Sequence, residues 1–282
     1  MGKCKYCNQS VGLLKSKHKD CEEKYNKGKN QIIGLIETTI VKATDYPNLR
    51  TDIENISKNN FIKSSEVNEL ITLGFDNAVD RFLDDSILSK DEEKRLNEFV
   101  ETIFPNETQE HCETILDKNG SLEKVIKATI IRDITEGIVP ETKINAGQLP
   151  FDFQESEQLI WVFHNVKYFE QTVKTHFREG SRGVSIKVAN GVYYRTNAFK
   201  GYPVHEQRMK YIDLGVFAIT NKHIYFSSSN ETFKIPFGKI ETIQPYEDGI
   251  GIHNDETTAK PHVFKGLDGW FTYNVVSNLN QR

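Results

Sequence analysis

Three of the four cysteines fall within the first 21 residues, in the order Cys4-x2-Cys7-x10-His18-x2-Cys21. Thiolates and an imidazole at these spacings suit a tetrahedral divalent ion, and zinc is the ion that takes such a Cys3His set. The plainer alternative is a group of scattered reduced cysteines. Met1 to Tyr6 shows no apolar leader, so a reducing compartment is expected and metal is favoured over disulfides. A Cys-x2-Cys turn aims two thiolates at one point. His18 and Cys21 are three apart, so a helix starting near Ser16 would put both on one face. Four protein ligands leave no coordination position for a substrate water, which makes the expected role structural.

Other reactive groups are dispersed. Cys112 adjoins His111, but sequence neighbours do not make a catalytic pair, because the base must be near in space; a helix cysteine with part of its surface buried is expected. Of the eight histidines only His18 has ligand spacing. Asp117-Lys-Asn-Gly120 has its glycine two positions too early for an EF-hand loop and lacks the later bidentate glutamate, so a turn capping a helix at Ser121 is expected. The sequence contains no phosphate-cradling glycine loop, nucleophile elbow, zincin pair, kinase set or deaminase signature. Neither enzymatic activity nor a small-molecule substrate is expected.

The elements that must carry these groups fall into three stretches. Residues 1–30 form the expected finger. Residues 31–144 show helical periodicity: Ile32, Ile33, Leu35, Ile36 and Ile40 make one apolar stripe, and Val67, Leu70, Ile71, Phe75, Val79 and Phe82 another. Ser89-x-x-Glu92 is a capping box opening a helix that Pro105 ends. Short loops at Asn60–Ser64, Asp85–Ser89 and Glu136–Pro140 form a weak repeat. Asn145–Pro150 reads as a linker.

Residues 150–282 switch to short β-branched and aromatic runs punctuated by Gly, Asn, Ser and Asp, as in an antiparallel sheet. Leu159–Phe163 is the expected first strand, with Tyr168–Val173 as its partner or extension. Asn190-Gly191 between Val184–Val188 and Val192–Tyr194 is a hairpin signal. A meander follows from Tyr211 to Phe264, with Pro236 breaking one run. Trp270–Leu279 suits a closing helix, with Trp270 expected in the core. The expected fold class is α+β multidomain: a small zinc finger, an all-helical bundle and an antiparallel β-module closed by a helix.

Three resemblances accompany this reading. The cysteine-rich head resembles treble-clef-like bacterial zinc fingers. The stretch RFLDDSILSKDEEKRL resembles the linking loop of TerB-like helical modules, which implies an all-helical domain; the clustered acids behind metal binding in that family are not matched here. The run GVFAITNKHIYFSSSNETFKIPFGKIETIQ resembles GRAM and bacterial pleckstrin-homology-like modules, which implies a recognition domain without activity of its own.

Charge is uneven. Residues 1–30 hold eight lysines against Asp20, Glu22 and Glu23, a net of +5 in a chain of net −4. The expected function is that of a non-enzymatic adaptor. Its β-module would dock on a partner protein or an anionic membrane surface through Lys200, Arg208, Lys210 and Lys222, with the finger as an accessory contact. The alternative is a nucleic-acid-binding protein that uses the basic head. The expected location is the cytoplasm, including the inner membrane face, since no apolar run is long enough to span a bilayer.

Overall fold

The computed structural model describes residues 2–280 apart from 13–14, 45, 85–86, 143, 179–183, 190–191, 197–201 and 256–260; over 171–208 it describes the backbone alone. The Asn190-Gly191 turn and Lys200 lie outside the described residues. Two compact units divide the chain, Met1–Glu136 and Gly137–Arg282.

The first unit contains helices α1 (Lys19–Lys42), α2 (Leu49–Asn59), α3 (Ser64–Phe82), α4 (Lys90–Ile103), α5 (Gln109–Leu116) and α6 (Ser121–Thr135). The helix that carries Cys21 and the apolar stripe read from residue 31 are one element, since α1 runs unbroken through position 30. Its Ile32, Ile36 and Ile40 recur at helical spacing and are fully buried. They face α3, where a Cβ on Gly74 would lie 2.6 Å from Cβ of Ile36, so only a hydrogen allows the approach. Leu70, Phe75 and Val79 of α3 join Leu96 and Phe99 of α4 in the same core, with the Phe75 and Phe99 rings stacked at 5.9 Å. Each such side chain contributes about 1.5–3 kcal/mol on leaving water.

The ends of these helices follow their sequence signals. Ser89 caps α4: its Oγ accepts from the Glu92 N–H, and a Glu92 carboxylate oxygen accepts from the Ser89 N–H at 2.9 Å. Asp117 Oδ1 accepts from the Leu122 N–H at 3.1 Å beside Gly120 at φ +74, a helix-opening turn as the spacing suggests. The buried Asp76 of α3 accepts from Asn119 and from the Ser121 hydroxyl, 2.5 Å each, which ties the start of α6 to α3.

The second unit is built on a seven-stranded antiparallel sheet of order β6-β5-β4-β1-β9-β8-β7. Its strands are β1 (Leu159–Arg178), β4 (Tyr202–Thr220), β5 (His223–Ser228), β6 (Thr232–Pro236), β7 (Ile240–Tyr246), β8 (Gly249–Asn254) and β9 (His262–Lys265). A separate pair joins β2 (Val184–Ala189) to β3 (Val192–Thr196). Leu159–Phe163 and Tyr168–Val173 belong to one strand, the second extending the first. The register of that strand shifts between Phe163 and Val166, where Asn165 takes φ +58. Tyr168, Phe217, Phe226 and Phe264 fill the buried face.

Helix α7 (Gly269–Asn280) closes the sheet, with Asp268 accepting from the Phe271 N–H at 2.9 Å as its cap. The expected burial of Trp270 is corrected here, since its side chain is 48% exposed. A helix turns about 100° per residue, so once Phe271, Val275 and Val276 face the sheet, Trp270 points out. Phe271 takes the core position and meets Trp161 edge-on at 5.2 Å. Among the described residues no helix is long and apolar enough to cross a membrane.

Candidate functional site

The four residues singled out by spacing come together. One ligand atom each from Cys4, Cys7, His18 and Cys21 lies within 4.8 Å of all the others. The turn that carries the first two is held by its backbone. Lys3 and Ser10 form a bridge, the Cys4 N–H donates to the Gln9 carbonyl at 2.8 Å, and the Asn8 N–H donates to the Cys4 carbonyl at 2.9 Å. Asn8 takes φ +60, a left-handed conformation that asparagine tolerates. The second pair sits at the start of α1. His18 is the N-cap with extended backbone, so the helix starts three residues later than expected at Ser16; His18 lies just outside it and Cys21 in its first turn. That helix end favours negative charge on sulfur.

The spacing of the ligand atoms fits one ion. His18 Nδ1 lies 3.4 Å from Cys7 Sγ and 3.8 Å from Cys21 Sγ. A tetrahedral centre with bonds of 2.3 Å to sulfur and 2.0–2.1 Å to nitrogen has an N···S edge of about 3.6 Å. The other ring nitrogen, Nε2, is 3.1 Å from the Ser10 carbonyl, which fixes the tautomer that leaves Nδ1 free to ligate.

Electrostatics point the same way. Burial works to raise the Cys4 thiol, but the backbone N–H groups of Cys7, His18 and Tyr6 outweigh it and bring the group down to about 6. For Cys21, burial and then the hydrogen bond and charge of Cys7 and Cys4 push the thiol up to about 11. Sulfurs this close cannot all ionise side by side without a cation between them.

The head is fastened to the helices. The Tyr6 and Tyr25 rings lie 4.8 Å apart, and the Tyr25 hydroxyl on α1 donates to the Glu66 carboxylate on α3. Cys112 lies elsewhere, buried on α5 with its thiol raised by that burial, and belongs to the packing.

Of the cations assigned to recognition, Lys200 lies outside the described residues. Arg208 and Lys210 are neighbours on β4, and Lys210 is exposed opposite Glu170 of β1. Lys222 lies past the other end of β4, in the turn before β5, where its Nζ donates to the Ser156 hydroxyl at 2.7 Å. That turn belongs to a clasp. The Glu157 side chain is fully enclosed, accepts from the Tyr225 hydroxyl at 2.5 Å and pairs with His223. Burial alone would raise the Glu157 carboxyl, but Tyr225, the Gln154 N–H and His223 outweigh it and hold the group below its ordinary range. Phe151 and Phe153 pack on the Tyr225 ring at 5.5 and 5.1 Å.

No protein-family model matches this sequence, and a search of curated proteins finds no match either.

Strands β1 and β4 outrun the strands that flank them. β1 pairs with β9 only as far as Glu170, and β4 pairs with β5 only over Gly215–Ile219. Past these points Gln171–Arg178 and Tyr202–Met209 pair only with each other among the described residues. The sheet thus extends into a two-stranded ribbon. A charge count over residues 171–210 would have marked the stretch: four lysines and four arginines against two glutamates, a net of +6, of which Lys174, Arg178, Arg208 and Lys210 against Glu206 stand on the two paired strands.

Proposed function

We propose that this chain is a non-enzymatic binding protein in which zinc fastens the head and the sheet unit recognises an anionic partner. Cys4, Cys7, His18 and Cys21 would hold the ion and leave it no open position, so its chemistry is structural. The observation that carries the recognition reading is the net charge of +6 on residues 171–210 in a chain whose overall charge is −4. Charge gathered in one stretch of the chain attracts a polyanion more strongly than the same charge spread over a surface. The likeness of the sheet unit to GRAM and pleckstrin-homology-like modules supports the same reading.

Retention of the full chain on immobilised heparin, a generic polyanion, tests it. Replacing Lys174, Arg178, Arg208 and Lys210 by Gln should lower the eluting salt concentration well below that of the parent. The same replacement of Lys3, Lys15, Lys19 and Lys27 should have the smaller effect. If the ribbon variant elutes with the parent while the head variant does not bind, recognition belongs to the head and the proposal falls.

A further inference from the structure

We propose that the ribbon is a duplex-DNA-binding arm, a reading that rests on the recognition role just assigned to the sheet unit. From Phe169↔Tyr211 to Arg178↔Tyr202 the register runs without a shift. Paired and alternate positions therefore share a face. One face carries Glu170, Lys174, Arg178, Glu206, Arg208 and Lys210. The opposite face, at the odd-numbered positions 171–177 and 203–209, carries no Asp, Glu, Lys or Arg. The Asp, Glu, Lys and Arg positions of these paired stretches thus share one face, four cationic and two anionic.

The separate β2–β3 pair carries Lys187 and Arg195. The ribbon has a firm root. Tyr168 is buried among Phe226, Phe233 and Phe264 with its hydroxyl 2.8 Å from His262 Nδ1, and Phe169 meets Tyr211 edge-on at 5.6 Å.

Shape and charge together select the ligand. The eight pairs from Gln171 to Arg178 extend about 26 Å at 3.3 Å per residue. Two strands lie about 4.8 Å apart, and the B-form major groove, about 12 Å wide, admits a two-stranded ribbon. The major groove of an RNA duplex is too narrow and deep for one. Cations distributed along the length of a ribbon match a linear array of phosphates. A planar bilayer would be met most readily by cations gathered at the tip. A two-stranded hairpin without further strands is marginal in water, so a partner that lines one face also stabilises it. Outside residues 1–30 and 171–210 the chain carries −15, which restricts polyanion contact to the basic parts.

The test uses the full chain and a fluorescein-labelled duplex of about 25 base pairs, alongside its single strand, an RNA duplex of the same sequence, and phosphatidylserine vesicles. With four cations on phosphates, log affinity should fall against log salt with a slope of roughly −3.6, a loss of roughly 150-fold between 50 and 200 mM. K174Q/R178Q/R208Q/K210Q should abolish most of that slope while its circular dichroism and melting match the parent. If that variant does not fold, the pairs K174Q/R178Q and R208Q/K210Q should each flatten the slope by about half. The head variant K3Q/K15Q/K19Q/K27Q should bind within about threefold of the parent. The proposal is overturned by absence of duplex binding at 50 mM salt, by binding lost only in the head variant, or by preference for the single strand, the RNA duplex or the vesicles. Heparin retention that depends on the ribbon, without duplex binding, leaves the recognition role standing and removes DNA as its ligand.

Discussion

Cys4 and Cys21 are members of one sulfur cluster pushed in opposite directions, one thiol to about 6 and the other to about 11. A dication removes the conflict. Protein purified without added metal should therefore contain one zinc per chain by elemental analysis, and Cys7→Ser with Cys21→Ser should lose it; full zinc content in that variant rejects the assignment. These four ligands were legible in the sequence because a finger's ligands lie close together along the chain. Glu157 was not legible, since its partners His223 and Tyr225 are brought to it only by the fold. Its folded pKa lies below the ordinary glutamate value of about 4.3. The stability it adds is therefore fully present above that value and is lost as pH falls through the lowered one. Glu157→Gln should cost about 1–3 kcal/mol at pH 7, and the gap between variant and parent should close in melts taken toward pH 3. A gap that is constant with pH would mean that the charge is idle.

Among the elements, helix α7 shows how a correct helix can carry a wrong core residue. Aromatic content marked the segment, but the phase was set by Asp268 capping at Phe271, and the phase decides which ring faces the sheet. Phe271→Ala should cost about 3–5 kcal/mol in chemical denaturation, whereas Trp270→Ala, at an exposed site, should stay within about 0.5 kcal/mol. Equal losses would contradict the phase. On α3, Gly74→Ala should destabilise the first unit by about 1–3 kcal/mol, because the added methyl meets Ile36 across the α1–α3 contact. The helices and the meander were legible from periodicity and turn residues. The ribbon was not, because its charge marks the stretch without showing that the strands continue beyond the sheet; only the pairing of β1 past Glu170 does so.

On the scale of the whole molecule, the metal site lies in the unit Met1–Glu136, while both tryptophans, Trp161 and Trp270, lie in Gly137–Arg282. Tryptophan fluorescence therefore follows the second unit alone. Chelation of the intact chain should shift the thermal transition seen by helical circular dichroism and leave the fluorescence transition in place; coincident shifts would show the two units unfolding as one. The direct pairing of Glu170 with Lys210 has a different consequence. Everything between these two residues can be treated as an inserted cassette, because its two ends already stand side by side and can be rejoined at little entropic cost. A chain in which an Asn-Gly turn replaces residues 171–209 should keep the fluorescence transition of the parent. The arm would then be a transplantable part, able to be shortened, exchanged or grafted onto another hairpin without redesigning the sheet that presents it.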